Sequence, residues 1–219
     1  EPVSQGWNEY ELKMGSIQTI MAGTGEDLAT VNRYLEELTS YADRTIYSFA
    51  DMTANIGKFT NQGVKLDDAV KAIQGIANEA AVSGANATQA SHAMYNFAQA
   101  LSAGYVKLID WKSIENSMMA TKEFKEQLLE TALALGTVTK QGDLYKSTTT
   151  NAKGKVSDAF SATKAFNDSL QHQWLTTEVL TKTLAKYSDE TTDIGKKAFN
   201  ERPAVSRPTR QMLSQLRLN

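Results

Sequence analysis

Cysteine is absent from the 219 residues, which excludes disulfides, thiolate zinc sites and cysteine nucleophiles. Proline is nearly absent: the three that occur stand at positions 2, 203 and 208. Roughly two hundred residues therefore run with nothing that must interrupt a helix. Histidine is scarce as well. His92 and His172 are the only imidazoles, and neither stands in the His-Glu-x-x-His spacing of a zinc-binding helix. No run of about eighteen apolar residues is long enough to span a bilayer. Residues 1–7 carry neither the basic nor the apolar region of a secretion signal, and none is expected.

What is present suits a folded body. Apolar residues make up 41% and charged residues 22% of the chain, a balance outside the low-hydrophobicity, high-charge range of disordered sequences. The length allows one large or two small domains. The net charge is −2, unevenly spread: residues 201–219 hold Arg202, Arg207, Arg210 and Arg217 against Glu201, a local +3 that leaves −5 on residues 1–200. A mildly acidic body is a poor phosphate-binding surface, so no specific nucleic acid is expected as a partner.

Apolar residues recur at spacings of three and four, the signature of buried helix faces. One stripe is Leu66, Val70, Ile73, Ala77 and Ala80, with Lys65, Asp68, Lys71 and Glu79 expected largely on other faces. Others are Leu28, Val31, Leu35 and Leu38; Ile46, Phe49, Met52 and Ile56; Met94, Phe97 and Leu101; and Phe124, Leu128, Leu129 and Leu133. At least five helices follow. Capping patterns at Thr24-Gly25-Glu26-Asp27 and Asn86-Ala87-Thr88-Gln89 predict helix starts near 25 and 87. Glycines at 23, 63, 84, 104 and 136 stand where helices are expected to stop. Residues 137–156 change character, and Gln141-Gly142-Asp143 between short apolar pairs predicts a β-hairpin near 137–147. Thr176-Thr177-Glu178 opens another helix, and a domain edge is expected between 188 and 200.

The expected fold is all-α, a multi-helix globular bundle with that hairpin. Its organisation reads as an N-terminal arm or helix (1–24), a helical core (25–136), a hairpin and polar loop (137–156), further helices of the same domain (157–199) and a basic tail (200–219).

Nothing in the sequence nominates a catalytic, cofactor-binding or metal-ligating residue. The carboxylate pairs Asp67/Asp68, Glu36/Glu37 and Asp189/Glu190 read as solvated helix faces and first-turn charges. Gly57-Lys58 and Gly154-Lys155 lack the earlier glycine and the following Ser or Thr of a phosphate-binding loop. The Asn86 and Asn167 glycosylation sequons are explained, in the first case, by helix capping. Large aromatic rings dominate protein interfaces, which makes Trp7, Tyr10 and Trp174 candidate partner-binding residues, with Trp111 weaker and core packing the competing reading for each. In the tail, Met212, Leu213 and Leu216 share one short face beside arginines. Met212 and Leu216 are therefore candidates too, since a basic amphipathic segment suits a partner groove or a membrane surface.

Several blocks carry a resemblance: Met14-Gly15-Ser16-Ile17-Gln18-Thr19-Ile20-Met21-Ala22, Leu38-Thr39-Ser40-Tyr41-Ala42-Asp43-Arg44-Thr45-Ile46-Tyr47-Ser48-Phe49, Asn55-Ile56-Gly57-Lys58-Phe59-Thr60, Ile73-Gln74-Gly75-Ile76-Ala77-Asn78, Gly104-Tyr105-Val106-Lys107-Leu108-Ile109-Asp110-Trp111 and Trp174-Leu175-Thr176-Thr177. Over about residues 7–199 the chain resembles the amino-terminal domain of tape measure proteins from long-tailed phages or prophages of Gram-positive-type bacteria. The resemblance implies a non-enzymatic tail-assembly protein without cofactors, which limits tube length and leaves the tube as DNA is delivered. It also implies tail-assembly chaperones, the tail-tip initiator and tail-tube subunits as partners, several copies per tail, and residence in the virion tail and, during assembly, the host cytoplasm. A continuous helix of this length would reach only about 330 Å at about 1.5 Å per residue. A longer ruler is therefore expected, of which this body is a terminal anchor or initiator. Residues 200–219 do not resemble the family's continuation. The alternative is a stand-alone prophage-derived protein that interferes with tail assembly.

The Ala- and Gly-rich stretch 75–104 predicts close helix packing, because small side chains let backbones approach. Ala93→Leu and Ala98→Leu are expected to lower the thermal midpoint, an unchanged midpoint in either variant counting against that packing.

Overall fold

With no proline between positions 2 and 203, backbone amides there can pair four residues back almost anywhere, and helix prevails. The computed structural model describes residues 2–43, 45, 47–148 and 158–200. Within them lie ten α-helices: α1 (Pro2–Thr24), α2 (Leu28–Asp43), α3 (Phe49–Asn61), α4 (Leu66–Val82), α5 (Ala87–Ala100), α6 (Leu108–Asn116), α7 (Lys122–Leu135), α8 (Phe166–Ser169), α9 (Thr177–Ser188) and α10 (Asp193–Asn200). A hairpin of β1 (Val138–Gln141) and β2 (Leu144–Ser147) stands between α7 and α8, and a 3-10 turn, Leu170–His172, follows α8. The all-α bundle with its hairpin is as the sequence predicts.

Helix starts are fixed by side chains that accept from orphan amides. Asn86 and Gln89 form the reciprocal box that opens α5, and Ser48, Thr121 and Thr176 cap α3, α7 and α9. The start expected near 25 falls instead at Leu28. Asp27 caps it, its carboxylate accepting from the Thr30 amide at 2.7 Å. Hydrogen bonding from the Thr30 side chain, and then from its amide, holds the Asp27 carboxyl below the usual range. Thr24 belongs to the end of α1, and Gly25, at φ +73°, makes the stop assigned to Gly23. The stops at Gly63, Gly84, Gly104 and Gly136 do have positive φ. In the hairpin, Val138 pairs with Ser147 and Gln141 with Leu144, leaving Gly142 and Asp143 as a two-residue turn. Phe160 extends the ladder by exchanging backbone bonds with Tyr145.

The core forms around α4. Every residue from Ala72 to Ala81 is buried, so this helix has no solvent face along that stretch and is wrapped by α2, α3, α5, α9 and α10. Its most extensive neighbour is α9. A Cβ built on Gly75 would lie 2.7 Å from the Leu184 carbonyl carbon and closer still to its oxygen. A close backbone approach therefore joins α4 to α9, while the predicted packing of α4 on α5 is present beside it, with Ala93 and Ala98 buried.

Two stripe residues depart from expectation. Leu28 is 54% exposed because it opens α2, beyond the reach of the core. Leu133 is 38% exposed because Ala132, one position earlier, takes the inward place. Ile46 lies outside the described residues.

Overpacking a tight core site costs about 1–3 kcal/mol, and at Gly75 the obstacle is backbone. Gly75→Ala is expected to destabilise by at least that much, read as a fall in the denaturation midpoint. A change within experimental error would show that α4 and α9 are less closely joined.

Candidate functional site

Polar residues inserted into an otherwise apolar helix must find partners when it is buried. On α4 these are Gln74, Asn78 and Glu79, and they form a seam between helices. The Asn78 amide donates to the Tyr187 carbonyl at 2.8 Å, and its oxygen accepts from the Tyr41 hydroxyl, so one side chain ties α4 to α9 and α2. Gln74 donates to Glu37 on α2 at 3.3 Å. Between α9 and α7, Thr183 donates to Thr131 at 2.7 Å.

Glu79 is the exceptional member. Only 2% exposed, its carboxylate accepts from the Thr121 hydroxyl at 3.2 Å. Burial pushes its pKa up to about 8; the Thr121 hydrogen bond opposes that shift, Glu123 adds to it, and Lys197 opposes it. Lys197 pairs with Glu123 at 3.4 Å, linking α10 to the start of α7. Tyr187 lies within electrostatic reach, its phenol pushed up first by burial and then by Glu79 and Glu123. Its hydroxyl has no hydrogen-bond partner among the described residues. The sequence reading placed Glu79 largely off the buried face. The signal against that was the surrounding run of small apolar residues, which leaves no polar face for a carboxylate to share.

Next to the seam, rings stack in series. Trp111 lies parallel to Phe124 at 6.3 Å between centroids, Phe124 meets Tyr187 at 5.8 Å, and Phe166 packs on Trp111 and edge-on to Trp174. Trp174 is fully buried, its indole N–H donating to Ser169 at 3.0 Å. Its expected partner-binding role gives way to core packing, since the fold consumes the whole ring surface. Trp7 and Tyr10 stand on α1, and Met212 and Leu216 lie outside the described residues.

The other candidates occupy plain positions. Asp67 and Asp68 open α4, Glu36 pairs with Lys13 at 3.8 Å, and Asp189 accepts from Thr191 in a turn. Lys58 lies over the Tyr95 ring at 4.2 Å, far from any phosphate-cradling geometry; Gly154-Lys155 lies outside the described residues. His92 is exposed on α5, and His172 stacks on Phe160 at 4.5 Å. Among the described residues no group of three or more His, Asp or Glu is placed to hold a metal, and no helix is long and apolar enough to cross a membrane. On the surface, Leu108 and the 74%-exposed Ile109 begin α6. They stand beside a cleft of about 360 Å³ lined by Tyr105, Lys107, Asn167, Leu170 and Gln173, among others. The described residues offer contact surface and a titratable buried group.

A family model described as "Tape measure protein" matches residues 9–176, more than half of the chain. No curated protein matches significantly. No solved structure does either.

A carboxyl whose folded pKa stands above its unfolded one stabilises below the unfolded value and loses that contribution as pH rises through the folded one. For Glu79 the window runs from 4.5 to about 8. Each pKa unit corresponds to about 1.4 kcal/mol, so the loss across it is on the order of a few kcal/mol. Glu79→Gln, which keeps the acceptor for Thr121, is expected to remove that slope and to equal or exceed the parent in stability near pH 8. Denaturant titrations of both proteins across the window test this, parallel pH profiles being the contrary result.

Proposed function

The chain belongs to the tape measure protein family, and we propose that it takes part in setting phage tail length, within a ruler that leaves the tube during DNA delivery. The family places it among structural proteins of the phage tail. Within that role, we read the helical body as an anchoring or initiating module rather than the measuring rod.

The observation that carries this reading is helix length set against family membership. The longest described helix, α1, has 23 residues, about 35 Å at about 1.5 Å per residue. The helices after it are interrupted by turns, and α2, α3, α5, α9 and α10 pack on α4. A rod that measures by extent needs a long uninterrupted repeat, whereas a module that holds one end of such a rod needs a stable body with contact surfaces. The partners proposed are tail-assembly chaperones, the tail-tip initiator and tail-tube subunits, with several copies of the chain in one tail. Trp7 and Tyr10 on α1, and Met212 and Leu216, are the proposed contact residues. The locations proposed are the virion tail and, during assembly, the host cytoplasm. No catalytic step is assigned.

Deleting residues 25–63 from the gene in a complete phage, which removes α2 and α3, is expected to abolish tails under the anchoring role. Electron microscopy of lysates reads the result. Tails shortened in proportion to the deletion would instead make this region part of the ruler.

A further inference from the structure

The shortest of the covers over Glu79 is α10. It packs on α4 and α9, with Ile194 against the core. It is drawn close at Gly195, where a Cβ would lie 2.5 Å from the Asp189 carbonyl carbon. Its Lys197 reaches Glu123 on α7, bringing both charges within electrostatic reach of Glu79. The other covers are more firmly tied: α7 has 14 residues and α9 has 12, joined by the Thr183–Thr131 bond, with α9 locked to α4 at Gly75.

A carboxylate deep in a protein is stable only if it is paired or hydrated. In the seated arrangement Glu79 accepts one neutral hydrogen bond, from Thr121, while the nearest cation is shared with Glu123. Ionisation thus creates a demand for water, and the segment that can admit it at least cost is the eight-residue α10 rather than α7 or α9. We propose that α10 is a proton-sensitive clasp, seated on α4 and α9 while the Glu79 carboxyl is protonated and lifted when Glu79 ionises. The inference does not depend on the assembly role, because it follows from burial and packing within the chain.

The charged and titratable groups facing the site support a switch of this sign. Glu123 from α7 disfavours a second negative charge and Lys197 from α10 favours it, while the Tyr187 phenol from α9, pushed up by burial and then by Glu79 and Glu123, stays neutral. From α2, Glu37 and Tyr41 meet the neighbouring Gln74 and Asn78. The buried residues of α3 and α5, which also pack on α4, include no ionisable side chain. With the Glu79 pKa pushed up to about 8, the seated form holds its proton at neutral pH.

Amide hydrogen exchange on the full chain, corrected for the intrinsic base-catalysed rate, tests the clasp at Gly195 and Lys196. Their amides are bonded to the side chain and the carbonyl of Thr192 respectively. Expected is protection lower than that of Ile73 on α4, falling about tenfold per pH unit between about pH 5 and 8 as one proton is released on opening, then levelling. In Glu79→Gln the slope disappears. In Glu123→Gln the levelling moves to lower pH, a readout that stands even if Glu79→Gln does not fold. Protection equal to that of Ile73 throughout, a slope retained in Glu79→Gln, or an unmoved levelling point in Glu123→Gln would each overturn the clasp.

Discussion

The backbone contact between Gly75 and Leu184 is the constraint on which the arrangement of the bundle depends. Two helices can approach this closely only where one of them lacks a side chain, and the carbonyl of Leu184 occupies the space a Cβ would take. The contact fixes where α9 crosses α4, and Asn78, one turn on, then bonds the Tyr187 carbonyl one turn further along α9. With that register set, Tyr41 of α2 meets Asn78 on its other side. Thr183 of α9 in turn meets Thr131 of α7. A single close approach is thereby converted into the placement of four helices.

The same constraint explains which parts of the structure were legible in the sequence. Periodicity found the faces of α2, α3, α5 and α7, because each of these helices has one wet side and one dry side, and Val31, Leu35, Met52, Ile56, Phe97 and Leu128 are buried as their spacing requires. Local chemistry found the Asn86–Gln89 box and the Gly142-Asp143 turn, since caps and tight turns are decided by residues within four positions of one another. The approach of α4 to α9 spans more than a hundred positions, and no local pattern announces it. The amphipathic reading of α4 consequently placed Glu79 away from the core, when between Ala72 and Ala81 there is no other side. Trp174 shows what spacing alone leaves open. A large ring reads either as core or as an anchor for a partner, and Phe166 and Ser169, within eight residues of it in the chain, take up its ring and its N–H inside the core.

Family membership and core construction divide the chain differently. The matched residues end at 176, the capping position of α9, yet the residues that bury α4 include Val179, Leu180, Leu184 and Tyr187 beyond that point. The matched residues thus include α2, α4 and α7, while α9, which completes the seam at Tyr187 and Thr183, and α10 follow them in sequence. The aromatic series crosses the same boundary, running from Trp111 and Phe124 inside the matched residues to Tyr187 outside them. The conformation of α9 is therefore coupled through packed rings to α6 and α7.

A carboxyl in such a place is a poor device for stability alone. An apolar side chain of similar volume would satisfy the cavity without the cost of removing a charge from water, and replacements of buried charged groups by well-packed apolar ones are often neutral or stabilising. What Glu79 supplies that an apolar residue cannot is a dependence of packing on proton activity. That dependence acts where α4, α7, α9 and α10 meet, because Thr121, Glu123, Tyr187 and Lys197 converge there from three of those helices on a side chain of the fourth. Among the described side chains of α10, Ile194 packs on the core, Gly195 makes a close backbone contact and Lys197 an exposed ion pair; exposed ion pairs contribute at most about 1 kcal/mol, so a charge penalty of a few kcal/mol at Glu79 exceeds what that ion pair can offset. The shortest helix over Glu79 is thus the one on which the buried carboxyl acts.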